Sequence, residues 1–175
     1  MLKKIITDSD FYDCETEYLS TVNRYAAKAV FINEQGKVAL MYMSRINCYK
    51  LPGGGIEKGE TETEALMREL REETGRGSII ACKIGEVTEH KNRKHYCQHT
   101  SAFIAYTNGE RYKCSFSQSE RRLGFRPCFF DPAEAVEILQ YGLDTTEEYG
   151  KRFIFCRDLS ILKYAVRMKD FPHLM

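Results

Sequence analysis

The apolar positions of this chain change period several times, and each change marks an expected element. Tyr25 to Ile32 alternates loosely and is rich in Val, Ile and Phe, which predicts a strand. Asn33-Glu34-Gln35-Gly36 is a turn, and Lys37 to Met43 reads as the returning strand. Lys3 to Thr7 is a further short strand, whereas Phe11 to Leu19 has no clean period. From Thr61 the period becomes helical. Thr61 and Glu64 have the spacing of a capping box, and Gly75 sits where a left-handed C-terminal residue belongs, so a helix spans Thr61 to Thr74. Ser78 to Val87 and His95 to Tyr106 read as strands, separated by a basic loop from Glu89 to His95. Thr107-Asn108-Gly109-Glu110 carries the Asn-Gly hairpin signal, with Tyr112 to Phe116 as the partner strand. Pro127 to Phe130 is another short strand. Asp131, Pro132 and Glu134 suit an N-cap, a first helical position and a capping box, so a helix starts there and stops at Gly142. Thr145 and Glu148 repeat the capping spacing. Phe155, Leu159, Leu162 and Val166 follow at helical intervals to about Met168, and Pro172 forbids much more.

The Thr61 to Thr74 helix carries an electrostatic conflict. Glu69, Glu72 and Glu73 fall on one arc that borders the apolar side made by Leu66 and Leu70. Carboxylates three and four residues apart repel one another, and a helix C-terminus favours cations. A divalent cation removes the conflict, because clustered carboxylates supply the hard oxygen ligands that magnesium takes together with phosphates. A solvated acidic face is the plainer reading, but it explains neither the clustering nor the glycines just before the helix. Those glycines, Gly53 to Gly55, are no P-loop, since no Gly-Lys-Ser/Thr follows. They read as a tight backbone turn whose carbonyl, that of Gly53, can approach the metal.

Gly54, then Glu60, then the run Arg68-Glu69-Leu70-Arg71-Glu72-Glu73-Thr74-Gly75 resembles, residue by residue and in spacing, the signature of the Nudix hydrolases. One position departs: the family ends its motif on an aliphatic residue where this chain has Arg76, which predicts a local packing difference. Tyr49 fills the aromatic slot that family members carry ahead of the leucine. The resemblance implies an α/β fold, a Nudix-type α/β/α sandwich with a mixed curved sheet. It implies attack of water on a phosphorus of a nucleoside diphosphate linked to another group. Magnesium, or manganese in its place, would sit on Glu69, Glu72 and Glu73 with the Gly53 carbonyl. The general base would be Glu69 within the helix or Glu120 in the Ser117-Gln118-Ser119-Glu120 segment. Arg68, counted with the catalytic set, would pair with Glu60 to brace the helix. The basic loop from Glu89 to His95 is either solvated or a lid touching substrate phosphate. No proline lies between the motif and Pro127, so the ADP-ribose marker is absent and the substrate stays open. A non-hydrolytic nucleotide-binding regulator and a prenyl diphosphate isomerase are the competing readings. Retention of all three glutamates argues against the regulator.

The chain has 175 residues and a net charge of +1. That length predicts one domain over 1–175, with a helical C-terminal part from about 143. The charge gives no reason to expect stable nucleic-acid binding or membrane attachment. The N-terminus lacks the apolar run of a signal peptide. Seven widely spaced cysteines without a CxxC pair predict reduced thiols and a cytoplasmic location. His95, Cys97 and His99 alternate, which would put them on one strand face as a zinc fragment or as plain packing. Family members are often dimers, which leaves a homodimer open.

Overall fold

The computed structural model describes residues 1–168 and Phe171. Its strands are β1 (Leu2–Thr7), β2 (Arg24–Ile32), β3 (Val38–Met43), β4 (Cys48–Lys50), β5 (Gly53–Gly55), β6 (Arg76–Lys91), β7 (Tyr96–Arg111) and β8 (Phe125–Phe130). They form one mixed sheet in the order β1-β6-β7-β2-β3-β4, with β5 paired to β2 and β8 paired to β3. β1 runs parallel to β6 and β2 parallel to β7, while the remaining pairs are antiparallel. The helices are α1 (Glu62–Thr74), α2 (Gln118–Leu123), α3 (Pro132–Thr145) and α4 (Tyr149–Val166).

Side-chain alternation divides the interior into two cores. Val30 and Ile32 of β2, Leu40 of β3 and Ile104 of β7 point to one face and meet Leu139 of α3 and Phe153, Leu159 and Leu162 of α4. Ala27, Ala29, Phe31, Ala39, Phe103 and Ala105 point to the other and meet Leu66 and Leu70 of α1. Helices on both faces explain why β2 and β7 are apolar on both sides. This is the α/β/α arrangement expected from the sequence, with α1 on one side and the C-terminal helices on the other.

Several local expectations are corrected. The segment from Glu89 to His95 is not a loop. β6 continues to Lys91, a 3-10 turn covers Asn92–Lys94, and His95 takes the left-handed conformation that starts β7. Glu89 and His90 are buried there, which a solvated loop would not allow. The Asn108-Gly109 pair makes no hairpin. β7 runs through it, and the extra residues are absorbed as a bulge opposite Arg76 and Ser78. Tyr112 to Phe116 is accordingly no strand. Its Tyr112 and Ser115 N–H groups donate to the carbonyls of Gly75 and Glu72, both at 2.8 Å, and satisfy the end of α1. The glycine cluster is a short strand on β2 rather than a free turn. Asp131 is the N-cap of α3 but makes no side-chain cap bond, so the Glu134 capping box is absent. α3 passes through Gly142 to Thr145, and Gly142 leaves room for the Phe155 ring of α4, which a methyl there would overlap. Thr145 belongs to α3, and the N-cap of α4 is Glu148, again without a side-chain cap. α4 ends at Val166, and Pro172 lies outside the described residues. Cys97 is buried, while His95 is exposed in the turn and His99 bonds the Thr88 hydroxyl at 3.0 Å.

Candidate active site

α1 is fixed at both ends. The Thr61 N–H donates to Glu64 Oε2 at 2.8 Å and the Thr61 hydroxyl accepts from Glu64 N–H at 3.2 Å, closing the capping box. Gly75 stops the helix with φ 64°. The departure at Arg76 is a packing difference: its guanidinium pairs with Glu34 at 2.9 Å and covers the Phe129 ring at 4.5 Å.

Arg68 and Glu60 brace the helix as the motif implied. Arg68 Nε and Nη2 donate to the two Glu60 oxygens at 2.7 and 3.0 Å, and Nη2 also donates to the Gly55 carbonyl at 3.0 Å. The fork and the Glu57 N–H hold the Glu60 carboxyl down, at about 2. Arg68 Nη1 meanwhile reaches Glu69 Oε1 at 2.9 Å and Glu72 Oε2 at 3.3 Å.

The three motif glutamates have unlike surroundings. Glu73 is buried; its Oε1 accepts from Lys50 Nζ at 2.8 Å and its Oε2 from Gly53 N–H at 2.7 Å. Glu69 is partly buried, and burial together with the Glu73 charge raises its carboxyl pKa against the pull of Arg68. Gly54 has no room for a side chain, since a methyl would overlap the Glu69 carboxylate. Glu72 is 40% exposed at its side chain and shares Arg68 Nη1 with Glu69, outside the closest carboxylate group. Glu120 comes in instead. Carboxylate oxygens of Glu69, Glu73 and Glu120 lie within 4.8 Å of one another, the one such acidic cluster among the described residues. This is a hard-oxygen donor set that fits a divalent cation. Glu120 stands on α2, a helix the sequence reading missed. Its Oε2 accepts from Ser117 N–H at 2.8 Å and from the Ser117 hydroxyl at 2.9 Å, so the same residue caps α2 and faces α1. The Ser-x-x-Glu spacing followed by Gly124 was the available signal.

A cavity of about 290 Å³ adjoins Gly53 and Gly54 and is lined by Arg24, Lys28, Lys50, Lys91 and Arg157, with Tyr96, Phe125 and Ile154. None of these cations belongs to the motif. Lys28 interrupts an otherwise apolar strand, the one trace of its role in the sequence. It donates to the carbonyls of Leu51 at 2.7 Å and Gly53 at 3.2 Å. Burial lowers its pKa to about 7, against the pull of Asp158. An open groove of about 890 Å³ lies on the other side of Gly55, between Arg24, Glu60 and Glu69. The more apolar cavity of about 650 Å³ between α3, α4 and Tyr49 touches none of the motif carboxylates and is set apart from this chemistry.

The model of the NUDIX domain family matches residues 22–149. Among curated proteins the chain is 43% identical over 54 residues to the 8-oxo-dGDP phosphatase NUDT18 of Mus musculus, covering 29% of this chain and 17% of the relative. It is 38% identical over 56 residues to an RNA pyrophosphohydrolase of Halorhodospira halophila, covering 32% of this chain and 31% of the relative. The chain thus spans less than half the length of the curated relatives it matches. A solved NUDIX hydrolase from Nitrosomonas europaea superposes with a TM-score of 0.55 at 19% identity, over 77% of this chain and 86% of that one, a likeness of fold.

Proposed function

The chain belongs to the NUDIX domain family, and from that premise we propose that it is a divalent-metal-dependent hydrolase of a diphosphate linkage in a nucleotide or nucleotide derivative. The observation that carries this reading is the carboxylate cluster of Glu69, Glu73 and Glu120 beside a cavity lined by cations. A nucleotide diphosphate is anionic, so a cationic cavity attracts it and opposes its repulsion from the glutamates. The named relatives act on different substrates, and what their names share is hydrolysis at a phosphate or pyrophosphate group of a nucleotide or RNA.

Magnesium, or manganese, fits the oxygen donors; when bound, such an ion neutralises the diphosphate and lowers the pKa of attacking water. We assign its binding to Glu69 and Glu73, with Glu72 turning in from its half-exposed position and Glu120 across from α2. Gly53 orients Glu73 through its N–H, and its carbonyl, which accepts from Lys28 at 3.2 Å, keeps a second lone pair for the ion. Glu69 is our choice for the group that takes the water proton. Its surroundings raise its basicity, and Arg68, held by Glu60, fixes where its carboxylate points. Glu120 spends one oxygen on the Ser117 cap and is the second choice. The chain acts as one hydrolase unit that includes α3 and α4, in a compartment that keeps its seven cysteines as free thiols. Among the described residues no helix is long and apolar enough to cross a membrane.

The test is a panel of nucleoside triphosphates, nucleotide sugars, dinucleotide polyphosphates and 5′-triphosphorylated RNA, with magnesium at mildly alkaline pH. We expect hydrolysis of at least one member, read as phosphate or diphosphate from a triphosphate or RNA and as two phosphorylated products from a nucleotide sugar or dinucleotide, and none after chelation. Tight binding of one member without turnover of any would replace the hydrolase by a nucleotide-binding regulator. A prenyl diphosphate added to the panel and returned with its double bond moved and its diphosphate intact would replace it by an isomerase.

A further inference from the structure

Asp158 of α4 lies beyond the stretch matched by the family model, yet it touches the turn that leads into the motif. It is fully buried. Its Oδ2 accepts from the Leu51 N–H at 2.8 Å, and its Oδ1 accepts from Arg157 Nε at 2.6 Å. Arg157 is held in turn by Glu89 Oε2 at 2.9 Å. From the opposite side Lys28 donates to the carbonyls of Leu51 and Gly53, and the Ala29 N–H donates to the Pro52 carbonyl at 3.1 Å. Every polar backbone group of Leu51-Pro52-Gly53 is therefore engaged, since Pro52 has no N–H. The last of them, Gly53 N–H, donates to Glu73 Oε2 at 2.7 Å.

Buried charges are a poor way to hold a turn if stability is all that is at stake, because a neutral or apolar set of the same size does as well or better. Their value here is direction. The turn is gripped by a carboxylate on one side and an ammonium on the other, and its free end aims one oxygen of a motif glutamate. We propose that Asp158 and Lys28 are positioning residues for the metal site, which set the Glu73 carboxylate through the Leu51–Gly53 turn and so let the C-terminal helix tune metal affinity. This rests on the reading of Glu69, Glu73 and Glu120 as the metal site. Groups bonded directly to a ligand are commonly worth 10–100-fold in metal affinity; Asp158 and Lys28 act one step further out, through the turn, so the low end of that range is expected of each.

The test measures Mn²⁺ binding to the full chain without nucleotide at about pH 6, where Lys28 is protonated, by electron paramagnetic resonance of the free ion, in wild type, Asp158→Asn, Lys28→Met and Glu89→Gln. Positioning predicts that Asp158→Asn and Lys28→Met each weaken binding by roughly tenfold. It predicts wild-type binding in Glu89→Gln, which removes an equally buried charge from Arg157 but does not touch the turn. Charge alone predicts a different pattern: weaker binding in both acidic variants, and unchanged or tighter binding when a cation is removed. Lys28→Met that binds Mn²⁺ as well as wild type overturns the proposal, and so does equal weakening in Glu89→Gln and Asp158→Asn. Should Asp158→Asn not fold, Lys28→Met decides alone, since it relieves a buried cation and replaces it with a side chain of similar size. A wild type that binds no Mn²⁺ overturns the metal reading and this proposal with it; a wild type that binds while all variants match it overturns this proposal only.

Discussion

Glu72 and Glu73 are neighbours on α1, yet one is half exposed beside Arg68 while the other is buried between Lys50 and the Gly53 N–H. In the sequence the two are equivalent, each repelled by neighbouring carboxylates and by the helix C-terminus. The structure separates them. Glu73→Gln breaks a buried ion pair and leaves Lys50 without its partner, so metal-free protein is expected to lose about 3 kcal/mol in chemical denaturation. Glu72→Gln is expected to stay within about 0.5 kcal/mol of wild type. Both should lower turnover by orders of magnitude, so stability and not activity distinguishes them. Equal melting temperatures for the two metal-free variants would refute the assignment of Glu73 as a buried, paired group. The motif was legible because its residue types and spacing are local. The partners Lys50, Lys28 and Asp158 were not, because Lys50 meets α1 from β4 while Lys28 and Asp158 reach it only through the turn, at sequence distances that periodicity cannot bridge. Glu120 stood in between: its position suggested the site, while its capping box was overlooked and with it the helix that delivers it.

Elements were read well where hydrophobic period and caps agreed. α1 begins and ends where Thr61 and Gly75 said it would, and β2 and β3 carry the alternation that places α1 and α4 on opposite faces. Errors came from punctuation read without tertiary context. Asn108-Gly109 bends a long strand and does not reverse it, because β6 is long enough to keep pairing to Arg76. Gly142 does not end α3; it lets the Phe155 ring of α4 approach the α3 backbone. Gly142→Ala tests this directly. Intrinsic propensity favours alanine in a helix interior by about 1 kcal/mol, whereas overpacking against a buried ring costs about 1–3 kcal/mol. The second effect should win, so the variant is expected to be net destabilised by roughly 1 kcal/mol in urea titration. A stabilised Gly142→Ala would mean that the Phe155 ring yields without cost and that Gly142 is not required for the contact between α3 and α4.

At the scale of the whole molecule, the least legible feature is the line of buried charges Glu89, Arg157, Asp158 and Lys28, which ties β6, α4 and β2 to the entrance of the motif. In sequence all but Lys28, which interrupts an apolar run, look like ordinary surface charges, and only their neighbours in space remove them from water. The line makes the stability of the metal-free protein depend on pH in a direction that can be worked out. Burial lowers the Lys28 pKa from 10.5 to about 7. Between those values the unfolded chain binds a proton at this site that the folded chain has released, so the unfolded state holds more protons and stability rises with pH. Below about pH 7 both states are protonated and the folded state carries the full penalty of a buried ammonium. The gain across the window is on the order of a few kcal/mol, since each unit of pKa difference is worth about 1.4 kcal/mol. Denaturation with chelator and reductant at steps from pH 6.5 to 10 should therefore show wild type gaining on Lys28→Met as pH rises, with little further change in their difference below pH 7. Using the difference removes the titration of the other lysines, tyrosines and thiols, which both proteins share. A difference that is flat from pH 7 to 10 would mean that Lys28 keeps its proton in the folded state, held by Asp158 strongly enough to overcome burial.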